Sequence, residues 1–231
     1  DSAYEAAISL FQKGIKIEAI IDNREEIDSK LIKETEKNNI KVYKGYTVVN
    51  TDGYKRINKV SIMQLSKDGQ KVVGPKISIA CDCLGISGGW TPAVHLFTQS
   101  GGKLKFRDED QVFIPDKYPS DQISIGSCNG DFTLDDILLS IPNKLKEFLD
   151  IKKADYDNLE VQSMFNRSKR NIWLLPSDKL IGKTKPFIDY QNDATARDIK
   201  LALREGFRSI EHVKRYTTTG MGTDQGKLGN M

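Results

Sequence analysis

Hydrophobic positions change period several times along this chain, and each change marks an element. Apolar residues at Ala3, Ala6, Ala7, Leu10 and Phe11 surround Ser2-Ala-Tyr-Glu5, whose serine and glutamate have the spacing of a capping box, and Gly14 is placed to stop the turn. This predicts a helix of about three turns. The run 15–22 predicts a buried strand, 25–39 a charged amphipathic helix, and 40–45 the next strand. Helix, strand, helix, strand is the tail of a parallel α/β unit whose first strand would precede Asp1.

After Gly45 the texture becomes β-type. Short runs at 46–50 and 60–65 flank the turn-rich Asn50-Thr-Asp-Gly53, which predicts an antiparallel excursion. A second turn, Lys67-Asp-Gly-Gln70, leads to an apolar strand over 77–86 that breaks at Ser87-Gly-Gly-Trp-Thr-Pro92. Residues 122–126 read as another short buried strand, closed by Ser127-Cys-Asn-Gly-Asp131, and Thr133-Leu-Asp-Asp136 has capping-box spacing at the head of a helix running to about Leu149. Pro142 is expected to kink or divide that helix. Residues 150–170 are polar and weakly periodic, as in a linker. Thr195-Ala-Arg-Asp198 caps a helix ending at Gly206, Ser209 starts a second one through Tyr216, and a glycine-rich stretch from Gly220 to Lys227 follows.

Charge narrows the function classes. Lys and Arg total 35 against 32 for Asp and Glu, a net +3 with the signs interspersed, so no nucleic-acid stripe is present. No apolar run is long enough to predict a membrane span, and a cytoplasmic protein is expected. The chain starts without methionine and reads as an internal piece of something longer. Cys81, Cys83 and Cys128 lie in apolar contexts and are expected as buried free thiols. Cys81 and Cys83 would share one face of a strand, but the only histidines, His95 and His212, are far off in sequence, so no metal site is expected.

Candidate chemistry sits at strand ends. Asp22, at the tip of its strand, is where a carboxylate would hold a ribose hydroxyl, or it is a solvated turn aspartate. Asp1 and Glu5 in the first helical turn would repel a phosphate there. Ser87, Gly88 and Gly89 end a strand and would offer free backbone N–H groups. Asn129, Gly130 and Asp131 end another and lead into a capped helix, so Asp131 could accept from sugar hydroxyls, or the turn could simply cap the helix. The tail is no P-loop, because five residues separate Gly220 from Gly226 and Leu228 follows Lys227 where a hydroxyl is required. No catalytic residue is assigned.

Longer strings carry a resemblance. The stretches 86–96 (ISGGWTPAVHL), 99–104 (QSGGKL), 187–199 (FIDYQNDATARDI) and 204–227 (REGFRSIEHVKRYTTTGMGTDQGK) closely resemble the alpha subunit of heterotetrameric sarcosine oxidase. That resemblance implies a partial core of two dinucleotide-binding domains, like that of thioredoxin reductase, followed by a small helical domain. Residues 1–93 would be part of an inserted NAD-type domain, 94–150 a returning segment of an FAD-type domain, 151–178 a linker and 179–231 the helical domain. It also implies bound NAD, an FMN shared with a beta subunit that carries FAD, gamma and delta partners, and tetrahydrofolate on a further aminomethyltransferase-like domain. The assembly would demethylate sarcosine to glycine with hydrogen peroxide and, with folate, methylenetetrahydrofolate. The Asn129-Gly130-Asp131 turn would match the cofactor-facing Gly-Asp of flavoproteins, with FAD, NAD or an adenylate as ligand. Large subunits of proline and opine dehydrogenases are similar but carry an iron–sulfur cluster. No cysteine follows Cys128, so no cluster is expected in the helical segment. A related secondary-amine oxidase, such as a dimethylglycine oxidase, or a noncatalytic assembly module are the alternatives.

Overall fold

The computed structural model describes residues 1–27, 30–119, 121–149 and 172–226. They form an α/β protein in two compact units. One is built from residues 1–67 and 73–149, the other from 68–72 and 172–226.

The first unit opens with α1 (Ser2–Gln12), β1 (Ile20–Asp22), α2 (Lys30–Lys37) and β2 (Val42–Lys44), and β1 pairs with β2 in parallel. Tyr4, Ala7 and Ile8 on one face of α1 pack with Ile20 of β1, Leu31 and Ile32 of α2, and Ile40. Each such aliphatic side chain contributes about 1.5–3 kcal/mol on burial, and a run of these is what holds so short a parallel pair together. The helix–strand order is as the periodicity requires, but the elements are shorter. Residues 15–19 stay outside the ladder because Lys16 and Glu18 pair with each other in solvent and Ile15 is half exposed. α1 also starts differently: Asp1 is its N-cap and no side-chain cap forms, so the expected Ser2–Glu5 capping box is absent. Its cause is visible in the hydroxyl of Ser2, which hydrogen-bonds Ser87 at 2.8 Å instead.

Next come β3 (Tyr46–Gly53), β4 (Ile57–Leu65) and β5 (Val72–Ala80), one sheet in the order β3-β4-β5 with β3 antiparallel to β4. The antiparallel excursion is therefore present, although its turn falls after Gly53. β3 absorbs the polar Asn50–Asp52 stretch through bulges. A Cβ on Gly53 would lie 2.0 Å from the Arg56 carbonyl oxygen, which requires glycine there. β5 stops at Ala80, where Cys81 N–H bonds the Asn58 carbonyl. Cys83 is exposed, and Cys81 and Cys128 are half-buried, so the expected burial of all three thiols is corrected. Among the described residues no group of three or more His, Cys, Asp or Glu side chains could hold a metal ion.

The rest of this unit contains α3 (His95–Gln99), the antiparallel hairpin β6 (Lys103–Arg107) and β7 (Val112–Lys117), a 3-10 turn (Gly126–Asn129) and α4 (Leu134–Leu149). Residues 122–125 form no ladder, in place of the expected strand. α4 runs unbroken through Pro142, so the expected division is also corrected. Its capping contact is formed: Asp136 N–H donates to Thr133 Oγ1 at 3.1 Å, and that hydroxyl donates to the Asp136 carboxylate at 2.7 Å. The expected linker over 150–170 lies outside the described residues.

The second unit holds β8 (Phe187–Asp189), β9 (Ala194–Thr195), α5 (Ala196–Arg204) and α6 (Ile210–Thr217). A full capping box starts α5, with Thr195 N–H and Oγ1 both donating to Asp198. Gly206, at φ +97°, ends it, and Phe207 N–H returns to the Ala202 carbonyl. Buried Asp189 accepts from the backbone N–H of Gln191, Asn192 and Gly220, which ties the β8–β9 turn to the glycine-rich stretch after α6.

Candidate dinucleotide site

Parallel strands direct their carboxyl ends, and the amino end of the adjoining helix, toward one edge, where α/β proteins take ligands. Asp22 ends β1 on that edge. Its carboxylate is 9% exposed and accepts from the Tyr4 hydroxyl at 3.0 Å, from Arg24 N–H at 2.9 Å, from Arg24 Nε at 3.1 Å and from Arg24 Nη2 at 2.7 Å. Arg24 Nη1 reaches on to the Asp1 carboxylate at 2.8 Å, at the head of α1. Asp22 is thus a buried, paired carboxylate and not a solvated turn residue.

Charges in this cluster are interdependent. Burial alone would raise the Asp22 carboxyl, but hydrogen bonds from the Arg24 side chain and backbone, the Arg24 charge and the Tyr4 hydroxyl together hold it below the ordinary carboxylate range. Burial, then the charge of Asp22 and its hydrogen bond, push the Tyr4 phenol up. Two carboxylates share one guanidinium, so the head of α1 is not an attractive place for a diphosphate. A ribose hydroxyl reaching Asp22 would have to displace one of the present donors.

Ser87, Gly88 and Gly89 are exposed, and the Ser2–Ser87 contact brings them to the same helix head. Nothing lies within 4 Å of a Cβ built on Gly88 or Gly89, and Gly89 has φ +119°, so backbone there is open to an approaching group. The fold therefore gathers Asp22 and Ser87–Gly89, which are distant in sequence, around α1.

Asn129, Gly130 and Asp131 form a second cluster. Gly130 closes the 3-10 turn with φ +80°, and Asp131 N–H donates to the Gly126 carbonyl at 3.2 Å. Oδ2 of Asp131 accepts from Asn129 Nδ2 and from Ser140 Oγ of α4, each at 3.2 Å. Its other oxygen takes no hydrogen bond from the described residues. α4 presents Asp135 and Asp136 in its first turn. Those acids disfavour a phosphate and suit a neutral hydroxyl donor, so the residues fit the sugar of a dinucleotide better than its diphosphate.

Sequence reasoning missed the basic partners. Arg24 holds Asp22, and Arg107 of β6 bonds Asp110 and donates to the Gly130 carbonyl at 2.9 Å. The Asp22-x-Arg24 spacing at a strand tip was the available signal for the first. Nothing local pointed to the second, because Gly130 lies 23 positions after Arg107.

A parallel pair packed with helices, glycine turns at the ends of apolar stretches and a small helical unit define the class: an α/β protein followed in sequence by a helical module. Residues 183–231 match the model of the sarcosine oxidase A3 domain. The whole chain aligns with sarcosine oxidase subunit alpha of Corynebacterium sp. (strain U-96) at 28% identity over 238 residues, and with that of Rhizobium meliloti (strain 1021) at 28% over 248 residues. The chain spans 24% and 22% of those proteins, about a quarter of their length. The likeness to the sarcosine oxidase alpha subunit is thus present along all of the chain. Among solved structures, T. acidophilum thioredoxin reductase is similar at 21% identity and a TM-score of 0.45, over 64% of this chain and 48% of that one. L-proline dehydrogenase from P. horikoshii is similar at 20% identity and a TM-score of 0.45, over 90% and 41%.

Proposed function

We propose that this chain is the dinucleotide-binding part of an alpha-type sarcosine oxidase subunit. The supporting observation is that similarity to such subunits runs the length of the chain and that its last 49 residues, 183–231, match their A3 domain. In this reading residues 1–93 belong to an NAD-type domain, 94–150 to an FAD-type domain and 179–231 to the helical domain that follows a linker. Asp131 accepts from a ribose hydroxyl through the carboxylate oxygen that Asn129 and Ser140 leave open, and Asn129 with Gly130 sets its direction. Ser87, Gly88 and Gly89 offer backbone to the neutral nucleoside part of a nucleotide, with its phosphates directed away from the acidic head of α1, and Asp22 joins them only if Arg24 yields.

NAD, when bound, would supply an adenylate anchor and a nicotinamide to the subunit. The chain's own residues would hold and orient it. Amine oxidation would take place on a flavin of a partner beta subunit, which would carry FAD and share an FMN with this subunit, and gamma and delta subunits would complete a cytoplasmic assembly. With molecular oxygen as the two-electron acceptor, that assembly would convert sarcosine to glycine and hydrogen peroxide and pass the one-carbon unit to tetrahydrofolate on a further domain.

A thermal-shift titration with NAD, ADP and FMN tests the reading, because a ligand that binds only the folded state raises the melting temperature. Stabilisation by NAD or ADP, lost in Asp131→Ala, is the expected result. No shift with any of the three in the intact natural polypeptide would count against it. The closed Asp22–Arg24–Asp1 cluster favours a second reading, in which the first α/β part is an assembly module without ligand. Under that reading Asp22→Ala leaves every ligand response unchanged.

A further inference from the structure

Arg107 ends β6, and Asp110 lies in the turn before β7. Arg107 Nε donates to Asp110 Oδ1 at 2.8 Å, Nη2 bonds Asp110 Oδ2, and Nη2 also donates to the Gly130 carbonyl at 2.9 Å. The arginine side chain is 23% exposed. A Cβ built on Gly130 would lie 2.6 Å from Arg107 Nη2 and 3.0 Å from Ile114 Cγ2 of β7, so the guanidinium and the hairpin together fill the space behind this turn. Asp131 follows directly, and its charge is among the influences that keep the guanidinium protonated, after the Asp110 hydrogen bond, a smaller opposing effect of burial, and the Asp110 charge.

A planar fork can grip a carboxylate on one edge and still direct an N–H to a carbonyl, which a lysine ammonium does not do in a fixed plane. The hairpin thereby fixes the Gly130 peptide, whose carbonyl carbon carries the Asp131 nitrogen. Asn129 holds Oδ2 at 3.2 Å, and Ser140 contacts the same oxygen at 3.2 Å while sharing its proton with the Ile137 carbonyl at 3.0 Å. We infer that Arg107 is a positioning residue for Asp131: clamped by Asp110, it sets the Gly130 peptide so that the open carboxylate oxygen of Asp131 meets a sugar hydroxyl of an adenine nucleotide. This rests on the reading of Asp131 given above.

Isothermal titration of ADP into the intact natural polypeptide tests it, with Arg107→Met, Arg107→Lys, Asp110→Asn, Asp131→Asn and the Arg107→Met/Asp131→Asn double variant. Arg107→Met is expected to weaken ADP binding about tenfold, the loss of one charge-assisted hydrogen bond. Arg107→Lys recovers only part of that. In the Asp131→Asn background Arg107→Met adds nothing further, because its effect passes through that carboxylate. A purely structural arginine would instead weaken both backgrounds alike. ADP affinity unchanged in Arg107→Met, or equal losses in both backgrounds, overturns the inference while the role of Asp131 stands. ADP that fails to bind the wild type, or binds Asp131→Asn equally well, overturns the reading of Asp131 and the inference with it. Should Arg107→Met fail to fold, Asp110→Asn alone and combined with Asp131→Asn makes the same comparison with the cation retained: a loss of ADP affinity that is absent in the Asp131→Asn background supports the clamp, and unchanged binding or equal losses overturn it.

Discussion

Asp22 and Asp131 both end apolar stretches, yet their neighbours give them different tasks. Asp22 is neutralised by Arg24 and bonded by Tyr4, whereas Asp131 keeps one carboxylate oxygen for another donor. Because the folded pKa of Asp22 lies below its unfolded value, its contribution is fully present above the unfolded value near 4 and is lost as pH falls through the folded one. Asp22→Asn is therefore expected to cost about 2 kcal/mol at neutral pH, since it weakens the charge-assisted hydrogen bonds from Arg24 while Asp1 still pairs with that guanidinium. It should also flatten the decline of stability in acid. Urea denaturation at a series of pH values between about 2.5 and 7 checks both effects, and an unchanged acid slope would show that the pair does not form. Gly130→Ala meets two penalties at once, a left-handed backbone and a Cβ against Arg107. A loss of about 1–3 kcal/mol follows, measurable in the same titration. The sequence alone singled out both aspartates because each follows an apolar run, although only Asp22 ends a strand and Asp131 follows a 3-10 turn. It could not say that one is sequestered, since the arginine's choice of partner depends on how α1 meets β1.

Elements whose start is written in local side chains were legible. Thr195 and Asp198 lie three apart ahead of Ile199, and the capping box they predict is formed. Thr195→Ala should cost about 1 kcal/mol, with amide exchange in the first turn of α5 rising more than in α6. Equal exchange changes in both helices would mean that the box stabilises the unit as a whole and not the helix end. The β6–β7 hairpin was not legible. Its residues Lys103, Lys105 and Arg107 dilute the apolar alternation, and Pro115 removes a donor from β7. What holds it is a cross-strand pair, Phe106 and Phe113 edge to face with centroids 5.2 Å apart, and a contact outside the hairpin, the bond from Arg107 to Gly130. The stretch 122–125 failed as a strand for the converse reason. Its apolar pattern is adequate, but the chain there turns into the 3-10 segment, and Lys144 of α4 takes the Ser124 carbonyl at 2.7 Å.

At the scale of the molecule, the α/β class and the helical unit followed from the succession of periods, because those are set by short-range packing. The pairing of Ser87 with Ser2, 85 residues apart, required the fold itself. In the clusters around Asp22 and Asp131 the carboxylates are held by Arg24, the Tyr4 hydroxyl, the Asn129 amide or the Ser140 hydroxyl, which under the proposed reading serves to hold a ligand rather than to move protons. Proton transfer from a secondary amine needs instead a group free to titrate beside the reacting carbon. In the proposed assembly that carbon is oxidised at flavin on a partner subunit, and this chain spans about a quarter of its curated relatives. The purified chain is accordingly expected to release no hydrogen peroxide with sarcosine, even when NAD and FMN are supplied, while still gaining thermal stability from NAD or ADP. A coupled peroxidase assay decides the first point. Sarcosine-dependent peroxide at a rate that Asp131→Ala abolishes would place the chemistry on this chain and require a reacting group beside that turn, whereas nucleotide stabilisation without peroxide fits a carrier that depends on its partners for the reaction.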